Sequence, residues 1–80
     1  MASTPSVVLV HAQGCHLCER AREVLERVGV AYDTLDITGD DELEARYREW
    51  IPVVEIDGAR AFVYFVDEGA LRRKLALSQT

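Results

Sequence analysis

The sequence predicts an α/β domain in the order βαβ followed by αββα, a mixed four-stranded sheet with helices on both faces. Three observations carry that expectation. A β-branched apolar run near the N-terminus gives way to a helical period and then to a second strand-like run. Asp57-Gly58 stands between two later β-rich runs as a hairpin signal. A final leucine-bearing stretch returns to the helical period and can cover the hairpin. A crossover helix obliges the first two strands to run parallel, whereas a short turn makes the last pair antiparallel.

Each element has its own signal. Ser6 to Val10 is a short apolar run of the kind that is covered on both sides in the middle of a sheet, and His11 to Gly14 reads as the loop after it. From Cys15 the period changes. Leu17, Ala21, Val24, Leu25 and Val28 share one helical face, Glu19, Arg20, Arg22, Glu23, Glu26 and Arg27 take the other, and Gly29 supplies the stop. Ala31 to Ile37 reads as a second, less deeply buried strand. Gly39, Asp40 and Asp41 offer a turn and an N-cap to a short acidic helix that reaches about Glu49. Val53 to Ile56 and Ala61 to Val66 are the hairpin strands around Asp57-Gly58-Ala59-Arg60, and Asp67 begins a last helix carrying Leu71, Leu75 and Leu77.

Eighty residues hold one domain, 1–80, near the size at which a single core is just sufficient. The net charge of −5 and the scatter of basic residues argue against a nucleic-acid partner, because phosphate binding needs clustered Lys and Arg. Arg72-Arg73-Lys74 is the one small cluster, and it falls near the end of a predicted helix, where cations suit the macrodipole. Val7 to Val10, the longest apolar run, is too short to span a bilayer, so no membrane partner is expected. The N-terminus has no basic region ahead of its apolar stretch and is read as the mature start of a cytoplasmic protein.

Both cysteines lie in Gly14-Cys15-His16-Leu17-Cys18, at a strand-loop-helix junction. In a reducing compartment such a pair is more often catalytic, redox-sensing or metal-binding than a structural staple. A thiol attacks a disulfide only as the thiolate, and the unpaired amides and positive dipole end of a helix N-terminus stabilise that anion. Cys15 is therefore the expected nucleophile, with the amides of His16, Leu17 and Cys18 available to its sulfur. Cys18, one turn further in on nearly the same face, is the expected resolving thiol. His16, beside Cys15, is expected to tune it modestly, since a protonated imidazole favours a neighbouring thiolate. His11 is read as a structural histidine of the loop.

The stretch VVLVHAQGCHLCERAREVL resembles the opening strand, loop and first helix of the glutaredoxins and small thioredoxin-fold proteins, and IPVVEIDG resembles their later segment. With VDEGALRRKL at the end, the pattern is most similar to the small bacterial glutaredoxin-like proteins with a C-x-x-C site, over nearly the whole chain. The resemblance implies a thioredoxin-like fold with the first strand beside the third, a cis peptide between Ile51 and Pro52, and a thiol-disulfide oxidoreductase. It also implies that Trp50, Ile51 and Pro52 flank an extended substrate whose backbone pairs with the residue before the proline. Independently of that, Pro52 can stand at a strand start and push Ile51 out of helix, whichever isomer it takes.

The chain departs from glutathione-binding glutaredoxins at two places: Ala12 replaces a common lysine, and Phe65-Val66 replaces a Gly-Gly pair. Asp67-Glu68 survives as the acidic pair that follows, a possible contact for a thiol ligand or a plain helix cap. The expected partners are disulfide-bearing proteins or small molecules and a reductant: glutathione, another low-molecular-weight thiol or a thioredoxin reductase. No metal or other cofactor is expected beyond the Cys15–Cys18 disulfide, and a monomer suffices. Two alternatives stay open: a soft-metal module holding Cu or Zn on the two thiolates, and a non-catalytic interaction domain on the same fold.

Overall fold

The computed structural model describes residues 6–78, in the order β1 (Val7–His11), α1 (His16–Val28), β2 (Asp33–Asp36), α2 (Asp41–Tyr47), β3 (Val53–Ile56), β4 (Ala59–Val63) and α3 (Glu68–Ser78). The sheet order is β2-β1-β3-β4, so the first strand does lie beside the third. β1 pairs parallel with β2, while β3 runs antiparallel to both β1 and β4. This is the mixed sheet the sequence implies.

Period-two alternation along the central strands builds two cores. Val7 and Leu9 of β1 and Val54 and Ile56 of β3 meet Ala21 and Leu25 of α1 and Leu71 and Leu75 of α3 on one face. Val10 and Val53 turn to the opposite face, where they meet Ile37 and Tyr47, with Leu35, Leu43 and Ile51 packed alongside. Helices thus cover both faces. The side chain of Leu77, also expected on the apolar side of the last helix, lies outside the described ones.

Local chemistry sets the ends of the elements. α1 stops at Gly29, whose φ of 81° lets its amide reach back to Leu25 and Glu26. Asp57 and Gly58 both have positive φ, 53° and 82°, the geometry a two-residue hairpin turn requires, so β4 starts at Ala59 and not at Ala61. Ala61 is then the extra residue of a bulge, since Val54 pairs with Phe62 and Glu55 with Arg60.

Other boundaries also differ from expectation. His11 belongs to β1, because its carbonyl accepts from Ile37 and its Cα pairs with Asp36. β2 is only Asp33–Asp36, the part of 31–37 that reaches β1. α2 ends at Tyr47, where Trp50 and Ile51 both turn their amides onto the Tyr47 carbonyl. β4 ends at Val63 and not at Val66, because Tyr64 takes φ 70° and the Phe65 amide closes on the Val63 carbonyl at 2.8 Å. That is a γ-turn with positive φ, a costly conformation for a residue with a side chain.

Candidate active site

β1 delivers the chain to a loop at the carboxyl end of the sheet, and the loop is tied down from the side, the Gln13 amide donating to Thr38 Oγ1 at 2.8 Å. Cys15 then caps α1. Its backbone is extended and its Sγ accepts from the Cys18 amide at 3.1 Å. A sulfur in the N-cap position takes one of the unpaired donors of the first turn and sits at the positive end of the helix dipole. Of the three amides that could point at Cys15, the one of Cys18 makes the hydrogen bond.

The two thiols differ in access. Cys15 is half-buried and Cys18 only 4% exposed, and the two are joined in a disulfide with Cα atoms 5.2 Å apart. Outside reagents can reach the first sulfur and the second is reached through it. His16 points to solvent with its side chain 94% exposed, its Nδ1 4.0 Å from Glu19 Oε2, and not onto the Cys15 sulfur.

The antiparallel pairing of β3 with β1 brings the start of β3 to the same end of the sheet as Cys15. The Ile51-Pro52 peptide is cis. Pro52 is buried, Ile51 half-buried and Trp50 42% exposed, with Arg60 over its ring at 5.6 Å. Trp50 is thus a surface residue and not an edge of the core. The Ile51 amide is already taken by the Tyr47 carbonyl at 3.1 Å, so a substrate backbone laid here would have to use the Ile51 carbonyl.

Asp67 and Glu68 have local partners. Asp67 Oδ2 accepts from the Ala70 amide at 2.8 Å, the N-cap of α3, and Glu68 bridges Arg27 at 3.0 Å and Arg72 at 3.3 Å. One further carboxylate stands near the site. Asp36 is held below the ordinary carboxyl range, first by the Thr38 amide, then by the Thr38 hydroxyl, with His11 adding a smaller electrostatic pull and desolvation opposing.

Two features at the site were not assigned a role from the sequence. Tyr64 and Phe65 are exposed, and the Tyr64 hydroxyl donates to the Glu49 carbonyl while its amide donates to Pro52, which ties this corner to the proline segment. Their only signal was two aromatics ahead of a helix, of which Phe65 stands where the family pattern has a glycine. The other is His11, which lines a cleft of about 400 Å³ together with Cys15, Cys18 and Arg22. Its place on β1 aims it at α1.

A glutaredoxin-like domain (DUF836) matches residues 6–76, from the start of β1 through most of α3. The chain belongs to the glutaredoxin-like family. Uncharacterized protein Rv0508 of Mycobacterium tuberculosis is 34% identical over 85 residues, covering 95% of this chain and 88% of that one. The X-ray structure of the structural-genomics target XcR50 from X. campestris superposes with a TM-score of 0.79 at 29% identity, covering 90% of this chain and 97% of that one. Glutaredoxin 1 from Francisella tularensis (TM-score 0.62, 19% identity, 91% and 94% covered) and spinach chloroplast thioredoxin f (TM-score 0.68, 15% identity, 99% and 80% covered) share the thioredoxin fold. Among the described residues of this glutaredoxin-like domain, no three His, Cys, Asp or Glu side chains gather to hold a metal ion. No described helix is long and apolar enough to cross a membrane.

Proposed function

We propose that the protein is a dithiol thiol-disulfide oxidoreductase that reduces disulfides of proteins or small molecules. The observation that carries this is the unequal pair: an accessible N-cap Cys15 hydrogen-bonded by the Cys18 amide, with Cys18 buried behind it and able to bond to it. The Cys15 thiolate attacks the substrate disulfide, one substrate thiolate leaves, and Cys15 holds the other half as a mixed disulfide. The Cys18 thiolate then attacks Cys15 Sγ and the second substrate thiolate departs. Two electrons have moved to substrate, and an external thiol or a reductase returns them. No further cofactor takes part. Exposed Trp50, Tyr64 and Phe65 around Ile51-Pro52 favour a peptide or protein disulfide as substrate, since such an aromatic surface suits a chain laid across it. We place the work in the cytoplasm, as a monomer.

The test is an equilibrium titration across glutathione redox buffers, acid-quenched and read by intact mass. A reversible loss of two hydrogens with one midpoint is expected. Cys15→Ser abolishes disulfide reduction, and Cys18→Ser accumulates a mixed disulfide on Cys15. A protein that forms no disulfide at any poise and purifies with one metal ion per chain would instead be a metal-binding module.

A further inference from the structure

The site provides for its two thiolates unequally. Cys15 has the Cys18 amide and the helix terminus, whereas Cys18 is almost fully buried, and among the described hydrogen bonds none ends on its sulfur. Burial disfavours a charged sulfur, yet Cys18 must lose its proton before it can attack. Something has to accept that proton.

The cleft beside the pair offers the candidates. From α1 it is lined by Cys18, Glu19, Arg22 and Glu23, and from β1 and the following loop by His11 and Gln13. His11 lies on the α1 side of the sheet, as Leu9 does two residues before it. Its register partner on β2 is Asp36, on the same side. Arg22 has no lone pair to accept with and serves the thiolate only as a nearby cation. Carboxylates can accept, but an ordinary imidazole, near pKa 6.5, is a better match to a thiol near 8.5 than a carboxyl near 4.3. A polar cleft of about 400 Å³ also has room for a water between imidazole and thiol.

We propose that His11 is the proton-transfer group of the resolving step, an inference that rests on the oxidoreductase reading. In the mixed disulfide Cys15–S–S–R, an imidazole nitrogen of His11 takes the Cys18 proton, directly or through one water. The Cys18 thiolate forms the bond to Cys15 Sγ, the Cys15–SR bond breaks with its electron pair on RS⁻, and the imidazolium gives the proton up to RS⁻ or, where RS⁻ is too weak a base, to water. Asp36 stands beside the imidazolium while it carries charge. The balance is one S–H consumed on Cys18 and one proton passed to the product thiolate or to water, with neutral His11 restored.

The two half-steps can be read separately with dithiobis(nitrobenzoate), whose released aromatic thiolate is coloured. Reduced protein releases a first equivalent as Cys15 attacks and a second as Cys18 resolves the adduct, the second at a rate independent of reagent concentration. In His11→Gln and His11→Ala the second phase at pH 7 should slow about 10- to 100-fold, at or below the low end for a positioned acid-base group, with the first phase within about twofold of the original. The pH profile of the wild-type second phase should differ from that of both variants, and added imidazole should restore His11→Ala. An intact first phase shows that a variant has kept the fold at Cys15. A second phase of unchanged rate and pH profile in both variants overturns the assignment to His11. Wild-type protein that releases only one equivalent overturns the oxidoreductase reading and this assignment with it.

Discussion

Asp67 offers a sharp test of whether the acidic pair at the start of α3 caps a helix or holds a ligand. Its Oδ2 already accepts the Ala70 amide at 2.8 Å, and Leu71 and Leu75 anchor the helix that follows in the core. Replacing an N-cap carboxylate with alanine costs about 0.5–2 kcal/mol, and for a domain of this size each kcal/mol is worth roughly 4–8 °C in melting temperature. Asp67→Ala should therefore melt roughly 4–8 °C lower for a central loss of about 1 kcal/mol. Asp67→Asn keeps the acceptor and loses only the charge-dipole term, about 0.3–1 kcal/mol, so it should fall between. Thermal melts followed by circular dichroism read this order, and stopped-flow reaction of reduced protein with glutathione disulfide reads the site in the same samples. Unchanged melting in Asp67→Ala together with a tenfold slower reaction would refute the cap and make Asp67 a ligand contact.

Two further outcomes follow from the packing and the electrostatics. The depressed Asp36 carboxyl contributes stability that is present above the ordinary carboxyl value of 3.8 and is lost as pH falls through its lower folded value, so Asp36→Asn should flatten the acid limb of stability against pH. Urea midpoints measured from neutral pH down to the acid limb read it, and an equally steep limb in the variant would contradict the Thr38 account. Leu25 is fully buried between the sheet and α3, so Leu25→Ala should lose about 2–5 kcal/mol, roughly 8 °C or more in melting temperature. A loss below about 1 kcal/mol would mean that α1 is not held by this contact.

The legible parts of the chain were those in which one short stretch carries both the pattern and its reason. Leu17 through Val28 repeats at helical spacing and Gly29 stops it, Asp57-Gly58 needs only its own backbone to turn, and Cys15-x-x-Cys18 at a helix start fixes which thiol leads. Boundaries were less legible where the deciding partner is remote. β2 is trimmed to the residues that β1 reaches, and β4 is cut short by Tyr64, whose amide and hydroxyl answer to Pro52 and Glu49.

The site divides along the same line. Sequence by itself determined the fold class, the pair of thiols and the helix terminus beneath Cys15, because dipole, cap and spacing act within a few residues. Only the tertiary structure decided that Cys18 is buried, that Trp50 faces solvent and that His11 opens into the cleft behind the cysteines. Each of those depends on which strand lies next to which, and burial is a property of neighbours that the chain meets only after the sheet has formed.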